Sequence, residues 1–428
     1  MTQAPTRFWH PFSDMAKVAG HEIILERAEG VWLWDQAGHR YYDATASLWY
    51  CNVGHGRSEL AEAAARQIRR LDSYSSFGSY ATEPVRELAE RVCALAPIPE
   101  AVAFFTTGGS DAVDTAAKLV RRYWNAVGKP ERQLILVREG AYHGMNTYGT
   151  SLAGIPANAA GYGDLVPGVV RVARDSVADL ARNLDEHEGK VAAFFAEPVI
   201  GAGGVYPPAE SYWTEVQQLC RAHDVLLVGD EVITGFGRVG SWFGSQRYGI
   251  EPDLIIGAKG LTSGYFPVGV VLCGQRVQEP FWRGTAGVLR HGYTYSGHAT
   301  GAAVALANLD VIESENLVGQ VRELEPVVAS SLAVLADHPL VGEVRTVGLT
   351  AAVELKAGVL SEDPGVIDRV VQAALERGVL TRGLVGRALQ ISPPFITTPD
   401  ELADLASVLG QSLDAVAEQR PSTTDAPR

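Results

Sequence analysis

The chain has 428 residues, of which 50 are acidic and 36 are basic, and its formal net charge is −14. A single hydrophobic core stops growing at roughly 250–300 residues, so two domains are expected. The acidic balance argues against nucleic acid or an anionic membrane as a partner.

The N-terminal part predicts a small sheet followed by two helices. Val31–Asp35 and Tyr41–Asp43 flank a Gly-containing turn, which is typical of a β-hairpin. Apolar residues then recur at helical spacing over Glu59–Leu71 and again over Glu83–Leu95. Pro84 falls in the first turn of the second helix, where proline is tolerated.

From Ala101 to about Leu306 the pattern alternates between strand and helix. The predicted strands are Ala101–Phe105, Gln133–Arg138, Val169–Val172, Ala192–Ala196, Val225–Gly229, Asp253–Gly257 and Gly269–Cys273. This alternation indicates an α/β fold with a mostly parallel, doubly wound sheet.

The pattern changes after a predicted long helix over Ala302–Glu313. Val344–Glu354 is predicted as a strand, Val366–Arg377 as a helix and Leu389–Ser392 as a further strand. We therefore predict a smaller α+β domain built from both termini. Residues 1–60 and 326–428 would form it, and residues 61–325 would form the large domain.

Four cysteines are scattered along the chain without the C-x-x-C spacing of a zinc site, so no metal is expected. They fit reduced thiols better than a disulfide framework. The first residues lack the pattern of a signal peptide, and no apolar run is long enough to cross a membrane. We expect a cytoplasmic protein.

Two of the buried strands are each followed closely by one charged residue, Asp230 in one case and Lys259 in the other. The carboxyl ends of parallel strands form the edge where open α/β sheets bind ligands. Pyridoxal phosphate requires a lysine for its Schiff base and an acid facing its pyridinium nitrogen. The alternative is that each residue merely ends a strand in solvent, but the pair favours the cofactor.

A glycine-rich turn lies between the predicted strand Ala101–Phe105 and the helix that follows it. Gly108 and Gly109 precede Ser110, which is predicted to cap the helix, and the free N–H groups of its first turn would hold a phosphate. The turn lacks the G-x-G-x-x-G pattern of dinucleotide sites. A nucleotide-binding oxidoreductase or a non-catalytic α/β binding protein remains the alternative from another class.

Six segments give the chain a more specific resemblance. They are TTGGSDAVDTAAKLVRR, AYHG, AEPVIGAGGVYPP, LLVGDEVITGFGRVGSWF, PDLIIGAKGLTSGYFPVG and HGYTYSGHATGAA. With them the chain resembles the class III, or ω-type, aminotransferases, which are pyridoxal phosphate enzymes of fold type I. The resemblance is closest to the amine:pyruvate group and covers most of Thr106–Ala303.

The resemblance assigns cofactor contacts to eight residues. It implies that Lys259 forms the Schiff base and carries the proton, and that Asp230 faces the ring nitrogen. The other implied contacts are Gly109 and Ser110 to the phosphate, Tyr142 and Val232 to the two ring faces, Glu197 near the phenolic edge, and Thr294 to the phosphate of the partner subunit. For Glu197 the alternative is a solvated strand end. The contact of Thr294 implies a homodimer with shared active sites, possibly a tetramer.

Substrate contacts follow from the same resemblance. Arg382 occupies the place of a mobile arginine that pairs with an acceptor carboxylate and swings away for an apolar amine. Its alternative is an exposed loop arginine, since Arg387 lies nearby. Trp49 matches a tryptophan that lines the substrate pocket, and Phe12 and Phe77 are further candidates. The surroundings of Trp49 differ from those of the diaminopelargonate aminotransferases, which weakens that alternative.

The expected reaction is a ping-pong transfer of an amino group from a primary amine or ω-amino acid to pyruvate or a similar oxo acid. An aminomutase or an α-decarboxylase of the same fold remains open, because the ring chemistry is common to all of them.

Overall fold

The computed structural model describes residues 6–18 and 20–419. The helices are α1 Met15–Val18, α2 Ala46–Trp49, α3 Ser58–Leu71, α4 Glu83–Leu95, α5 Gly109–Ala126, α6 Thr147–Leu152, α7 Val177–Glu186, α8 Tyr212–Ala222, α9 Gly244–Arg247, α10 Gln275–Trp282, α11 Ala299–Ser314, α12 Leu317–Ala333, α13 Ala357–Glu362, α14 Val366–Glu376 and α15 Pro399–Glu418. The strands are β1 Leu25–Glu29, β2 Trp32–Asp35, β3 Arg40–Asp43, β4 Val102–Thr106, β5 Leu134–Arg138, β6 Val169–Val172, β7 Val191–Ala196, β8 Leu226–Asp230, β9 Leu254–Gly257, β10 Gly269–Cys273, β11 Val341–Val347, β12 Thr350–Leu355, β13 Val379–Leu380, β14 Gly383–Leu384 and β15 Ala388–Ile391.

A seven-stranded sheet forms the centre of the molecule, in the order β4-β10-β9-β8-β7-β5-β6. All its neighbouring strands are parallel except at β10, which runs antiparallel to both β4 and β9. The seven predicted strands are therefore confirmed to within one residue at each end. Separate clusters of buried apolar side chains pack helices on the sheet, as a doubly wound fold requires.

The inner strands β8 and β9 are buried along their whole length. Strands covered on both faces are built from continuous apolar runs, which explains why both could be identified from the sequence. Asp230 lies opposite Ile256 in the register of the two strands. The side chains that follow β8 and β9 consequently meet at one edge of the sheet.

Both ends of the described chain contribute to one smaller sheet, in the order β1-β2-β3-β13. The predicted hairpin of β2 and β3 is confirmed, and β13 from the C-terminal part pairs with β3 in parallel. A third sheet has the order β11-β12-β15-β14. The prediction of one strand over Val344–Glu354 was wrong, because Gly348, at φ 53°, turns the chain between β11 and β12. The domain bounds stay a prediction.

Arg238 connects the loop after β8 to both terminal regions. Its guanidinium is buried and donates to the Leu349 and Pro393 carbonyls at 3.1 and 2.6 Å and to Asn52 Oδ1 at 2.7 Å. Burial lowers the pKa of this arginine to about 9. Three segments distant in sequence are thereby held beside the carboxyl edge of the large sheet. Of the described helices, none is long and apolar enough to cross a membrane.

Candidate active site

A cavity of about 720 Å³ opens at the carboxyl ends of β8 and β9. All predicted site residues line it except Phe77 and Thr294. The walls come from the large sheet, from the α2 region and from the loop around β14, so both predicted domains contribute.

Lys259 follows β9 after one intervening residue, and its backbone φ is 45°. Left-handed backbone at a non-glycine residue is strained and is often found at functional sites. Nζ lies 5.7 Å from the centre of the Trp49 ring. Burial lowers the pKa of the Lys259 amine to about 8, against the opposing effect of the Asp230 and Glu197 carboxylates. The neutral fraction of this amine near neutral pH is therefore larger than that of an ordinary lysine.

Asp230, the last residue of β8, is only 4% exposed, so it does not merely end a strand in solvent. His143 Nδ1 lies 2.7 Å from Oδ2, and the Val232 N–H donates to Oδ1 at 3.1 Å. Both carboxylate oxygens are thus held in place. The contact between Asp230 and His143 was not predicted from the sequence, although His143 lies within the AYHG segment that contributes to the resemblance.

Glu197 is also buried, at 3% exposure, and the alternative of a solvated strand end is wrong. Its Oε1 accepts from the Tyr142 N–H at 3.1 Å, and its Oε2 accepts from the Gly201 N–H at 3.0 Å. Burial raises the pKa of the Glu197 carboxyl. This acid also fixes the backbone of Tyr142 in the cavity wall.

The helix α5 begins at Gly109, and the preceding residue, Gly108, occupies the cap position. The prediction that Ser110 caps this helix was wrong, because Ser110 lies inside the first turn and its Oγ accepts from the Met145 N–H at 3.1 Å. A Cβ on Gly109 would lie 3.0 Å from Val232 Cγ1, so glycine permits this close approach. The first-turn N–H groups remain available for an anion.

Arg382 lies over the Trp49 ring in the same cavity, with the guanidinium carbon 4.7 Å from the ring centre. Arg382 is partly buried and lines the cavity, so it is not the exposed loop arginine of the alternative interpretation. Burial lowers the pKa of its guanidinium. Trp49 is 2% exposed, and Phe12, at 74%, lies at the mouth.

Phe77 and Thr294 lie together in a different cavity of about 280 Å³. Tyr74 and Tyr295 line it as well, and both are more than half exposed. One chain therefore does not bring these two predicted residues to the site of Lys259.

The donor set of the large cavity fits pyridoxal phosphate. At one end, the N-terminus of an 18-residue helix is available to bind a phosphate. Glycine at position 109 keeps this end open, because a Cβ there would narrow it. A buried carboxylate and an amine of lowered pKa lie in the same cavity. Fold and site together define an enzyme of the pyridoxal phosphate class.

Comparison with known proteins identifies the family. Residues 15–413 match the family model of class-III aminotransferases, and the chain belongs to this family. It uses pyridoxal phosphate, as this family does. The nucleotide-binding alternative was therefore wrong.

Individual relatives are similar over almost the whole chain. The putrescine–pyruvate aminotransferase of Pseudomonas aeruginosa is 40% identical over 97% of this chain and 98% of its own. A transaminase structure from the marine bacterium Virgibacillus has 37% identity and a TM-score of 0.92, over 96% and 98% of the two chains. The ω-transaminase of Pseudomonas jessenii in complex with PMP has 35% identity and a TM-score of 0.92, over 96% of each chain.

The lowered pKa of Lys259 predicts how the apoenzyme takes up its cofactor. Only the neutral amine attacks an aldehyde, so the rate of Schiff-base formation should rise with pH until about 8 and then level off. Stopped-flow absorbance after mixing apoenzyme with pyridoxal phosphate measures this rate. A free lysine derivative, measured in parallel, should continue to gain rate up to about pH 10.4. The same profile for both would contradict the pKa assigned to Lys259.

Proposed function

We propose that this enzyme transfers the amino group of a primary amine or ω-amino acid to pyruvate or a similar oxo acid. The observation that carries the proposal is the position of Arg382. This cation lies in the cavity of Lys259, and among the described residues it forms no ion pair. Its terminal nitrogens match the two oxygens of an acceptor carboxylate. The remaining wall near Trp49 is largely apolar, which suits the body of an amine.

The cofactor would be held by the chain at three points. The N-terminus of α5, together with Ser110, would bind the phosphate. Asp230 would place its negative charge beside the ring nitrogen, and Lys259 would anchor the group covalently. When bound, pyridoxal phosphate supplies an electron-accepting ring next to the substrate nitrogen.

The proposed role of Lys259 during turnover is to carry a proton. An amine with a pKa near the working pH both accepts and returns a proton readily, which general acid–base catalysis requires. Tyr142 and Val232 would orient the ring from its two faces, with Glu197 near the ring's phenolic edge. Arg382 would bind the acceptor carboxylate and move away for an apolar donor.

We also propose a homodimer in which each subunit completes the site of the other. The exposed aromatic side chains around the smaller cavity support this proposal, because monomers rarely expose such clusters. Thr294 and Phe77 would then reach the partner's site. Sedimentation velocity measures the number of subunits.

The four free cysteines support the predicted cytoplasmic location.

A panel of amine donors with pyruvate, read as alanine formed, tests the reaction. Apolar monoamines and ω-amino acids should yield one alanine per amine consumed. Release of carbon dioxide without alanine would favour the decarboxylase, and isomerised donor without alanine would favour the aminomutase. Either result would contradict the proposed transfer.

Replacing Arg382 with alanine should weaken acceptor binding selectively. Loss of a bidentate, charge-assisted pair predicts a rise in KM for pyruvate of roughly 10- to 100-fold. The half-reaction with an apolar amine should change by less than about twofold, because that substrate carries no carboxylate. Steady-state kinetics with each substrate varied measures both values.

Arg387→Ala is the matched control for this experiment. Arg387 lies five positions further along the chain, is half exposed, and has its nearest acid, Glu354, at 3.6 Å. Its loss should leave both KM values unchanged. If the KM for pyruvate rose selectively in Arg387→Ala and not in Arg382→Ala, the proposal would have assigned the carboxylate to the wrong arginine.

A further inference from the structure

Gln390 lies in β15 and has no exposed surface, and both the oxygen and the nitrogen of its side-chain amide are hydrogen-bonded. Its Oε1 accepts from Arg382 Nε at 2.6 Å, and its Nε2 donates to Ser392 Oγ at 2.7 Å. The backbones are also joined, since the Gln390 N–H donates to the Arg382 carbonyl at 3.0 Å. The guanidinium is therefore attached to a buried strand.

The direction of these hydrogen bonds is fixed by chemistry. An arginine has only donors, so the oxygen of the Gln390 amide must face Arg382. The Ser392 hydroxyl in turn donates to the Thr45 carbonyl at 3.3 Å, which leaves its oxygen free to accept from Nε2. The resulting chain leads from the guanidinium to the backbone just before α2, the turn that carries Trp49.

Trp49 itself is held in a strained turn that meets the same network. Its φ is 59°, and Ser47, with φ 58° and ψ −79°, is also outside the helical region. Asp43 accepts from the backbone N–H groups of both Thr45 and Ser47, at 3.1 and 2.7 Å. The backbone before Trp49 is thus held in place, and the buried Trp49 ring forms the surface over which the Arg382 guanidinium lies.

We infer that Gln390 is a positioning residue that holds Arg382 in its inward, carboxylate-binding position and thereby sets the preference between the two substrates. The inference rests on the proposed function. Gln390 uses Nε alone, so the two terminal nitrogens of the guanidinium remain available for the acceptor. To move outward, Arg382 must give up both this hydrogen bond and its contact with Trp49.

The two half-reactions should respond differently to the loss of the Gln390 hydrogen bond. A carboxylate binds only the inward state, so destabilising that state weakens acceptor binding in proportion. An apolar amine requires the arginine to leave, and it should bind equally well or more tightly. If Gln390 had a merely structural role, its replacement would change the KM values of both substrates together.

Gln390→Met in the holoenzyme tests this inference, because methionine keeps the volume and removes the acceptor. We expect the KM for pyruvate to rise about tenfold, the cost of one hydrogen bond to a charged group. The KM for an apolar amine should stay constant or fall. In an Arg382→Ala background the same substitution should have no further effect on the KM for pyruvate. Gln372→Met, on the exposed face of α14, is the matched control and should change neither KM.

If Gln390→Met does not fold, Ser392→Ala provides the second variant. It leaves Gln390 in place but removes the partner that orients the amide, so a smaller shift in the same direction is expected. Equal changes in both KM values, or an undiminished effect without Arg382, would overturn the inference. A wild-type enzyme that transfers no amino group to oxo acids would instead contradict the proposed function.

Discussion

Lys259→Ala should lose turnover by roughly 10²–10⁴-fold or more, the contribution of a positioned general acid–base group. Lys259 is the one lysine among the described residues that line the cavity. The other candidates in the cavity are poorly suited to replace it, because His143 Nδ1 is already engaged by Asp230 at 2.7 Å and burial raises the pKa of the Tyr142 hydroxyl, which therefore stays protonated. Both half-reactions should slow, because the same proton carrier serves each of them.

Cofactor content separates loss of chemistry from loss of the site. The variant should still bind pyridoxal phosphate through α5 and Asp230, but without the visible absorbance of the lysine-bound form. A small amine such as ethylamine should restore part of the rate. Lys356→Ala, at the exposed start of α13, controls for loss of a lysine. Undiminished alanine formation by Lys259→Ala would reject Lys259 as the proton carrier.

The strands that present this chemistry were predictable because their signal is local. A parallel strand buried on both faces requires a continuous apolar run, so β8 and β9 could be recognised from their own residues. The prediction that Asp230 and Lys259 share one site followed from the rule that open α/β sheets bind ligands at the carboxyl ends of their strands. The hairpin of β11 and β12 lacks such a clear boundary, since Gly348 interrupts a run that otherwise resembles one strand.

Other features of the site depend on contacts that no local pattern encodes. His143 and Asp230 are 87 positions apart, and their contact exists only once β5, β7 and β8 are paired in the sheet. Gln390 resembles any polar residue in a strand until its neighbours are known. Serine is a residue type that commonly caps helices, but Gly108 rather than Ser110 occupies the cap position.

Phe77 and Thr294 show a further limit of inference from one chain. Each was predicted from family resemblance rather than from its own surroundings, and both lie outside the cavity of Lys259. Their common location in one exposed cavity is consistent with a contribution to a second subunit. Only an assembly would bring such residues to the chemistry they are predicted to serve.

Asp230→Asn should reduce kcat by roughly 10²–10³-fold, the usual cost of removing one preorganised electrostatic group. Asparagine keeps the shape and one acceptor oxygen for the His143 or Val232 contact, but it removes the negative charge that would stabilise a protonated ring. Because the charge would be used with either substrate, both half-reactions should slow alike, in contrast to Arg382→Ala. Single-turnover absorbance with amine and then with pyruvate measures the two rates separately.

The matched control for the loss of charge is Asp224→Asn, a partly exposed acid that pairs with Lys129 at 2.6 Å and with Arg276 at 2.5 Å. Surface pairs of this kind contribute little, so its kinetics should stay at the wild-type value. Lys259 should still anchor the cofactor in Asp230→Asn, which visible absorbance checks directly. If the asparagine variant retained full rates with its cofactor bound, the charge of Asp230 would have no part in the chemistry, and its contacts with His143 and Val232 would be purely structural.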